Sequence, residues 1–313
     1  MTRRLLVTGA TGKQGGALIN ALTSSLTISK SPPFEIYAVT RNSTSQSAKR
    51  LAAKPNVTVI QANLSNPSAL FAQLPAPIWG LFAVPMMTSG HIREESEGKA
   101  LTAVAVAAGV RHIVFTSTDR GGQLESEGSP TSVPHFASKF RIEEDIKATA
   151  AAKKDGSLTY TFLRPVAFFE NLSNDFVGRC FPAMWRLNGA DRPLQFVSTS
   201  DIGRIAAEAF AAHDSPEYKN KAISLAGDSL TLDEAMDVFR EETGLRGGVP
   251  ETYAWLGGAI RYAVADLRAM FRWFSVSGFG VDVPALRQKY PYLKDFRAWV
   301  REESAWKKKT REN

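Results

Sequence analysis

The chain has 313 residues, which suits one large domain or two interleaved ones. At 44% hydrophobic and 22% charged it has the make-up of an ordinary globular protein, and its one cysteine, Cys180, excludes an internal disulfide. The formal net charge of +7 comes from scattered Lys and Arg residues with no basic stripe alternating with aromatics, so direct nucleic-acid binding is not expected.

The first residues set the pattern. Arg3 to Thr8 is a short apolar run with the composition of a buried strand. Gly9-Ala10-Thr11-Gly12-Lys13-Gln14-Gly15-Gly16 follows, and Ala17, Leu18, Ala21 and Leu22 then take up a helical spacing. A Ser/Thr/Pro loop from Ser24 to Pro33 leads to a second strand, Phe34 to Val39, ending at Thr40-Arg41-Asn42. A short helix over Ser45–Ala53, a third strand over Val57–Gln61 and a proline-started helix over Pro67–Leu74 come next. Gly80–Val84 is the fourth strand, Glu94–Ala108 an alanine-rich helix closed by Gly109, and His112–Ser117 the fifth strand. The Gly/Ser/Pro loop from Arg120 to Pro134 is a candidate mobile lid. A helix over His135–Ala152 and a sixth strand over Leu158–Arg164 complete the alternation.

Beyond Pro165 the pattern loosens, with Phe168, Phe169, Phe176, Phe181 and Trp185 crowded into one segment. Asp201–Ala212 reads as a helix, Ala222–Ala226 as a strand returning to the sheet, and Thr231–Glu242 as a helix opened by a capping box between Thr231 and Glu234. Trp255–Phe274 is apolar and aromatic with helical spacing. The dense basic run Lys307-Lys308-Lys309 with Arg311 reads as a solvated end.

This alternation predicts an α/β fold with a Rossmann-type, doubly wound parallel sheet. The sheet domain takes residues 1–164, with 200–226 returning to it, and residues 165–199 and 227–313 form a smaller, mainly helical C-terminal lobe. No apolar run reaches the roughly 18 residues of a membrane span, so no membrane partner is expected. The strand pattern begins too early to leave room for a signal peptide, which points to the cytoplasm with nuclear entry open. Cys180, between Arg179 and Phe181, reads as a packed thiol.

A strand, a glycine turn and a helix form the context of a dinucleotide site. Gly9 lets the chain turn off the strand, Gly12 admits a pyrophosphate to the backbone, and Gly15 lets the helix approach the sheet. Thr11, Lys13 and Gln14 stand in the same turn, at a helix N-terminus whose free N–H groups favour phosphate. Glycine triplets also occur in plain turns. After Val39 there is no Asp or Glu to bind ribose hydroxyls but Arg41, whose guanidinium can grip a 2′-phosphate, so the expected cofactor is NADP(H). A solvated surface arginine is the alternative. Asn63, after the third strand, could reach the adenine, and Ala83, Val84 and Pro85, after the fourth, could pass a ribose; each is equally consistent with loop structure. No His, Cys or carboxylate cluster has metal-ligand spacing, and no metal is expected.

The chain resembles the NmrA-like family of atypical short-chain dehydrogenases/reductases over nearly its whole length. The matching pieces are Val7–Gly15, Val39–Asn42, Val133-Pro134-His135-Phe136-Ala137-Ser138-Lys139, Leu163-Arg164-Pro165, Phe169-Glu170-Asn171 and Asp201-Ile202-Gly203. Met270–Phe274 and Trp299 also look family-like. Ordinary short-chain dehydrogenases carry Tyr-x-x-x-Lys on the helix after the fifth strand; here the lysine is Lys139, the tyrosine position holds His135, and Ser117 stands where the fifth strand would supply a hydroxyl. The resemblance implies that Lys139 holds the nicotinamide ribose and that Ala167, Phe168, Phe169 and Glu170 lie beside the nicotinamide. His135 can exchange a proton near neutrality, or can simply be a cap residue; Lys139 and His135 are the catalytic candidates. Two functions follow from the resemblance. One is an NADPH-dependent reductase of a small organic substrate, with Phe168, Phe169 and Phe176 as pocket wall or as core. The other is a non-catalytic NADP(H) redox sensor that regulates a protein partner such as a transcription factor. A homodimer is open in both.

Overall fold

The computed structural model describes residues 2–24, 34–75, 77–84, 91–153 and 155–307. Most of the expected Ser/Thr/Pro loop, Pro85, and Lys308, Lys309 and Arg311 of the basic run lie outside the described residues. The chain divides into two compact units, one of Met1–Thr118, His135–Arg164 and Ile202–Ile223, the other of Asp119–Pro134, Pro165–Asp201 and Ser224–Asn313.

The first unit is built on a seven-stranded sheet. Its strands are β1 (Arg3–Val7), β2 (Phe34–Thr40), β3 (Val57–Gln61), β4 (Gly80–Ala83), β5 (His112–Thr116), β6 (Thr159–Pro165) and an edge strand β9 (Lys221–Leu225), in the order β3-β2-β1-β4-β5-β6-β9. The pairs from β3 through β6 are all parallel. The register pairs Val7 with Ala38 on one side and with Phe82 on the other, so strand order reverses at β1. In such sheets a crevice opens at that reversal, outside the carboxyl ends of the strands.

Alternation along each strand decides what each face buries. Leu6, Tyr37, Val39, Leu81, Ile113, Phe115 and Phe162 face one way and form a core with Leu70 of α3 (Pro67–Phe71), Leu101 and Ala105 of α4 (His91–Ala107), and Ile142 and Ile146 of α6 (Pro134–Ala152). On the other face lie α1 (Lys13–Thr23) and α8 (Thr199–Ala211), and a short helix, α2 (Gln46–Ala52), joins β2 to β3. There Leu5 and Phe210 close on Gly80, and a Cβ at Gly203 would sit 2.4 Å from the backbone of Ala17, so only glycine lets these two helices touch.

The second unit has its own small sheet, β10 (Asp228–Leu230), β8 (Leu194–Val197) and β7 (Ala167–Phe168), the first pair antiparallel and the second parallel. Most of the rest is helical: α5 (Gln123–Gly128), α7 (Phe176–Arg186), α9 (Leu232–Thr243), α10 (Ala254–Ala263), α11 (Ala265–Val276), α12 (Val283–Lys289) and α13 (Phe296–Glu302). Its core joins Phe169, Phe181, Trp185, Phe196, Phe239, Phe271, Phe296 and Trp299. The capping box forms at the start of α9: Glu234 N–H donates to Thr231 Oγ1 at 3.2 Å and Thr231 N–H donates to Glu234 Oε2 at 2.8 Å. Cys180 is buried in this core, and burial pushes its thiol pKa up, as suits a packed thiol.

Two segments depart from the sequence reading. Trp255–Phe274 is helical, as its spacing indicates, but in two pieces, because Val264 takes an extended backbone (ψ 104°) and separates α10 from α11. The proposed lid, Arg120–Pro134, is pinned down. Asp119 beside it is fully buried and accepts the N–H groups of Gly121 (3.1 Å), Gly122 (3.0 Å) and Gly280 (3.2 Å). The buried Arg120 guanidinium donates to the carbonyls of Ser129 (3.0 Å) and Ser126. A Cβ on Gly122 would come within 2.5 Å of the Gly280 carbonyl, so two glycines are needed for that crossing.

Candidate functional site

The end of β1 is tied to β4 before the glycine turn begins. Thr8 Oγ1 donates to the Phe82 carbonyl (3.1 Å) and accepts the Val84 N–H (2.9 Å). Gly9 then takes φ +59°, a conformation that side chains resist, and its carbonyl accepts the Gly12 N–H at 2.9 Å. Ala10 N–H reaches the Val39 carbonyl at 3.3 Å, which sets the turn against the end of β2. A Cβ on Gly15 would sit 2.4 Å from the Gly9 carbonyl oxygen, so that glycine is what lets α1 start so close to the strand.

The first turn of α1 is suited to an anion. Gly12 is its N-cap, no side chain caps it, and no acidic residue stands in its first turn. Thr11, Gly12 and Lys13 are exposed, while Gln14 keeps its side-chain oxygen buried without a hydrogen-bond partner. A phosphate fits this cradle: it meets backbone N–H groups, the positive end of the helix dipole and a lysine, and no Cβ stands in its way at Gly12.

Arg41 follows β2 and is exposed. Its neighbour Asn42 organises the turn, accepting the Thr44 N–H (2.9 Å) and hydroxyl (2.7 Å) on Oδ1. Asn63 is exposed after β3 and is spent partly on its own turn, accepting the Ser65 N–H at 3.1 Å. Ala83 is buried at the end of β4, and the Val84 side chain lies 3.4 Å from where a Cβ on Gly9 would be. Gly9, Ala83 and Val84 are thus brought together, and Arg41 follows from the strand next to them.

The lysine and histidine lie on α6. Lys139 is not free: its ammonium donates to Glu94 Oε1 on α4. The other oxygen of Glu94 accepts the Ser138 hydroxyl at 2.6 Å. The Glu94 side chain is 0% exposed and that of Lys139 12% exposed. Glu94 also lines a small cavity with Leu64, Ala83, Val84, Glu97, Gly98, Leu101 and Phe115. His135, one turn before Lys139, is 8% exposed, with its ring edge-on to Phe136 at 4.5 Å. Ser117 is buried, its N–H on the Leu163 carbonyl at 2.7 Å.

Glu94 was missed by sequence reasoning. An acidic residue in a first helical turn is commonly there to complement the dipole. The available signal was its phase: Glu94, Gly98, Leu101 and Ala105 share the stripe of α4 that faces inward. Gly98 is small because a Cβ there would meet Ile142 of α6 at 2.6 Å. That contact lets the two helices run side by side, so Glu94 meets Ser138 and Lys139 just as Gly98 meets Ile142.

In the second unit the residues expected beside the nicotinamide have inward roles. Ala167 and Phe168 are half-buried in β7. Phe169 is fully buried, stacked on Phe196 (5.7 Å) and Trp299 (5.5 Å), so it is core. Phe176 is 60% exposed, so these phenylalanines do not share one wall. Glu170 Oε1 accepts the N–H (2.9 Å) and hydroxyl (2.7 Å) of Thr199, at the start of α8. Asp201 of the Asp-Ile-Gly piece is buried and accepts the Lys294 N–H at 2.8 Å. Among the described residues no group of three or more His, Cys, Asp or Glu side chains could hold a metal ion. None of the described helices is long and apolar enough to cross a membrane.

A doubly wound parallel sheet with a three-glycine turn at its order reversal defines a Rossmann-type α/β protein. Within that class the chain belongs to the NmrA-like family, which it matches over residues 1–253. It is 27% identical over 269 residues to the NmrA-like family domain-containing oxidoreductase FrzB of a Cladobotryum species, covering 78% of this chain and 74% of that one. Among solved structures it is similar to a Citrobacter triphenylmethane reductase complexed with NADP(H), with TM-score 0.70, 20% identity and coverage of 95% and 98%. It is also similar to NmrA, a negative transcriptional regulator, in complex with NADP, with TM-score 0.68, 19% identity and coverage of 97% and 95%.

Proposed function

We propose that the protein binds NADP(H) and uses it as an oxidoreductase of a small organic substrate. The observation that carries this reading is the uncapped N-terminus of α1, opened by Gly9, Gly12 and Gly15, with Arg41 in place of a carboxylate after β2. In this reading the turn from Gly9 to Gly15, with Thr11, Lys13 and Gln14, holds the pyrophosphate. Arg41 grips the 2′-phosphate, a contact that a carboxylate at this place would repel. Asn63, Ala83 and Val84 flank the adenosine half, and Lys139 donates hydrogen bonds to the nicotinamide ribose. NADPH, when bound, supplies a hydride. The oxidoreductase FrzB and the triphenylmethane reductase support the activity by similarity. The test is calorimetric titration with NADPH, NADP⁺, NADH and NAD⁺: tight binding of the phosphorylated pair alone is expected, and binding of none of the four removes the reading.

A second reading has its own observation. The position that holds the proton-donating tyrosine of ordinary short-chain dehydrogenases is His135, 8% exposed and packed on Phe136. The loss of the tyrosine at this position suits a nucleotide sensor that regulates a partner, as the similarity to a transcriptional regulator also does. That role requires NADP⁺ and NADPH to bind two conformations with different affinity. Identical oligomer size and partner binding with either nucleotide or neither would sink it, and substrate-dependent NADPH oxidation lost in Lys139→Ala would favour the reductase.

A further inference from the structure

A fully buried carboxylate is costly unless both its oxygens are paired, and even a paired one often contributes less stability than apolar side chains of the same size. Glu94 is such a group: one oxygen takes the Lys139 ammonium, the other the Ser138 hydroxyl at 2.6 Å. It stands on a stripe of α4 otherwise made of Gly98, Leu101 and Ala105, where an apolar residue would pack more cheaply. Its cavity is shared with Ala83 and Val84, at the carboxyl end of β4. Lys139 keeps 12% of its side chain exposed while its ammonium is held by Glu94. An ammonium has three N–H donors. With one committed to Glu94, the other two are directed at neighbouring acceptors, and a vicinal diol presents two.

Resting on the NADP(H) reading above, we propose that Glu94 is a positioning residue: it aims Lys139 at the diol of the nicotinamide ribose, with Ser138 holding the carboxylate in its rotamer. Glu94 does not touch the nucleotide; it acts through Lys139. Aspartate would be too short by one methylene to reach both partners from the same backbone position.

The test is a double-mutant cycle read by calorimetry on the full chain, with two probes. NADPH carries the nicotinamide ribose; 2′,5′-ADP lacks it but carries the 2′-phosphate. Glu94→Gln, which keeps the shape of the side chain, is expected to weaken NADPH binding about tenfold, the worth of one well-aimed charged hydrogen bond. The same substitution leaves 2′,5′-ADP binding unchanged, which also shows that the variant is folded. In a Lys139→Met background, Glu94→Gln has no further effect on NADPH. An equal loss in both backgrounds overturns the proposal, because Glu94 then acts by another route. So does an NADPH affinity that Glu94→Gln leaves intact while melting temperature falls, the mark of a merely structural ion pair. If the unsubstituted protein binds neither probe, the NADP(H) reading itself fails and the proposal with it.

Discussion

In the proposed reading, Arg41 is the residue on which the choice of cofactor turns. It is exposed, follows the sheet's second strand and has no carboxylate beside it in the turn Thr40-Arg41-Asn42. Charge-assisted hydrogen bonds of an arginine to phosphate contribute about 1.5–3 kcal/mol, so Arg41→Ala should weaken NADPH binding about tenfold to a hundredfold. NADH, which lacks the 2′-phosphate, should bind Arg41→Ala as it binds the unsubstituted chain; calorimetry with the two nucleotides checks both. Equal losses for NADPH and NADH would place Arg41 elsewhere in the site. The glycine turn was legible at this scale, because glycines at Gly9, Gly12 and Gly15 answer to backbone geometry that is local in sequence. Glu94 was not, since its partners Ser138 and Lys139 are more than forty positions away on another helix.

At the scale of elements, two buried charged contacts hold segments together. Arg164 at the end of β6 pairs with Glu143 on α6 through Nε (3.0 Å) and a terminal nitrogen (2.5 Å), with both side chains 0% exposed. Removing one partner leaves an uncompensated buried charge, so Arg164→Met should cost about 3–5 kcal/mol in denaturant unfolding. Replacing both residues by Met should cost less than replacing either alone; a double variant worse than both singles would show that the pair is not the source. Asp201, in the first turn of α8, behaves differently. Burial raises its pKa from 3.8 to about 6, opposed by the Lys294 N–H and ammonium and reinforced by Glu303. A carboxyl with a raised folded-state pKa contributes stability below its unfolded pKa and loses it as pH climbs through the folded value. Asp201→Asn should therefore gain on the unsubstituted protein by about 3 kcal/mol between pH 4 and pH 6, read by denaturant titration across that range. A difference that does not vary with pH would rule out this origin. These motif pieces, Leu-Arg-Pro and Asp-Ile-Gly, are recognisable in sequence, yet their partners Glu143 and Lys294 are visible only after folding.

For the whole molecule, ligand linkage offers a check that needs no substrate. A nucleotide that binds only the native first unit, at about a hundred times its dissociation constant, stabilises it by about 2.7 kcal/mol. NADPH should raise the melting temperature in calorimetric scans, and NADH at the same concentration should raise it less; equal shifts would contradict a role for the 2′-phosphate.

The sequence by itself determined the first six strands, their helices and the parallel arrangement, because β-α-β alternation in short apolar runs leaves few other ways to bury them. It also determined the glycine turn ahead of the first helix and, through its motifs, the family. The tertiary structure decided what depends on distant partners. It built the small sheet β7-β8-β10 from strands of two to four residues, too short to show a period. It broke the Trp255–Phe274 stretch at Val264, where neither glycine nor proline marks a stop. It pinned the loop after Asp119 through Gly280, over a hundred and fifty positions away. And it turned Lys139 from a lone motif residue into the partner of a buried carboxylate, because side chains on adjacent parallel helices meet by the register of packing, which no local spacing records.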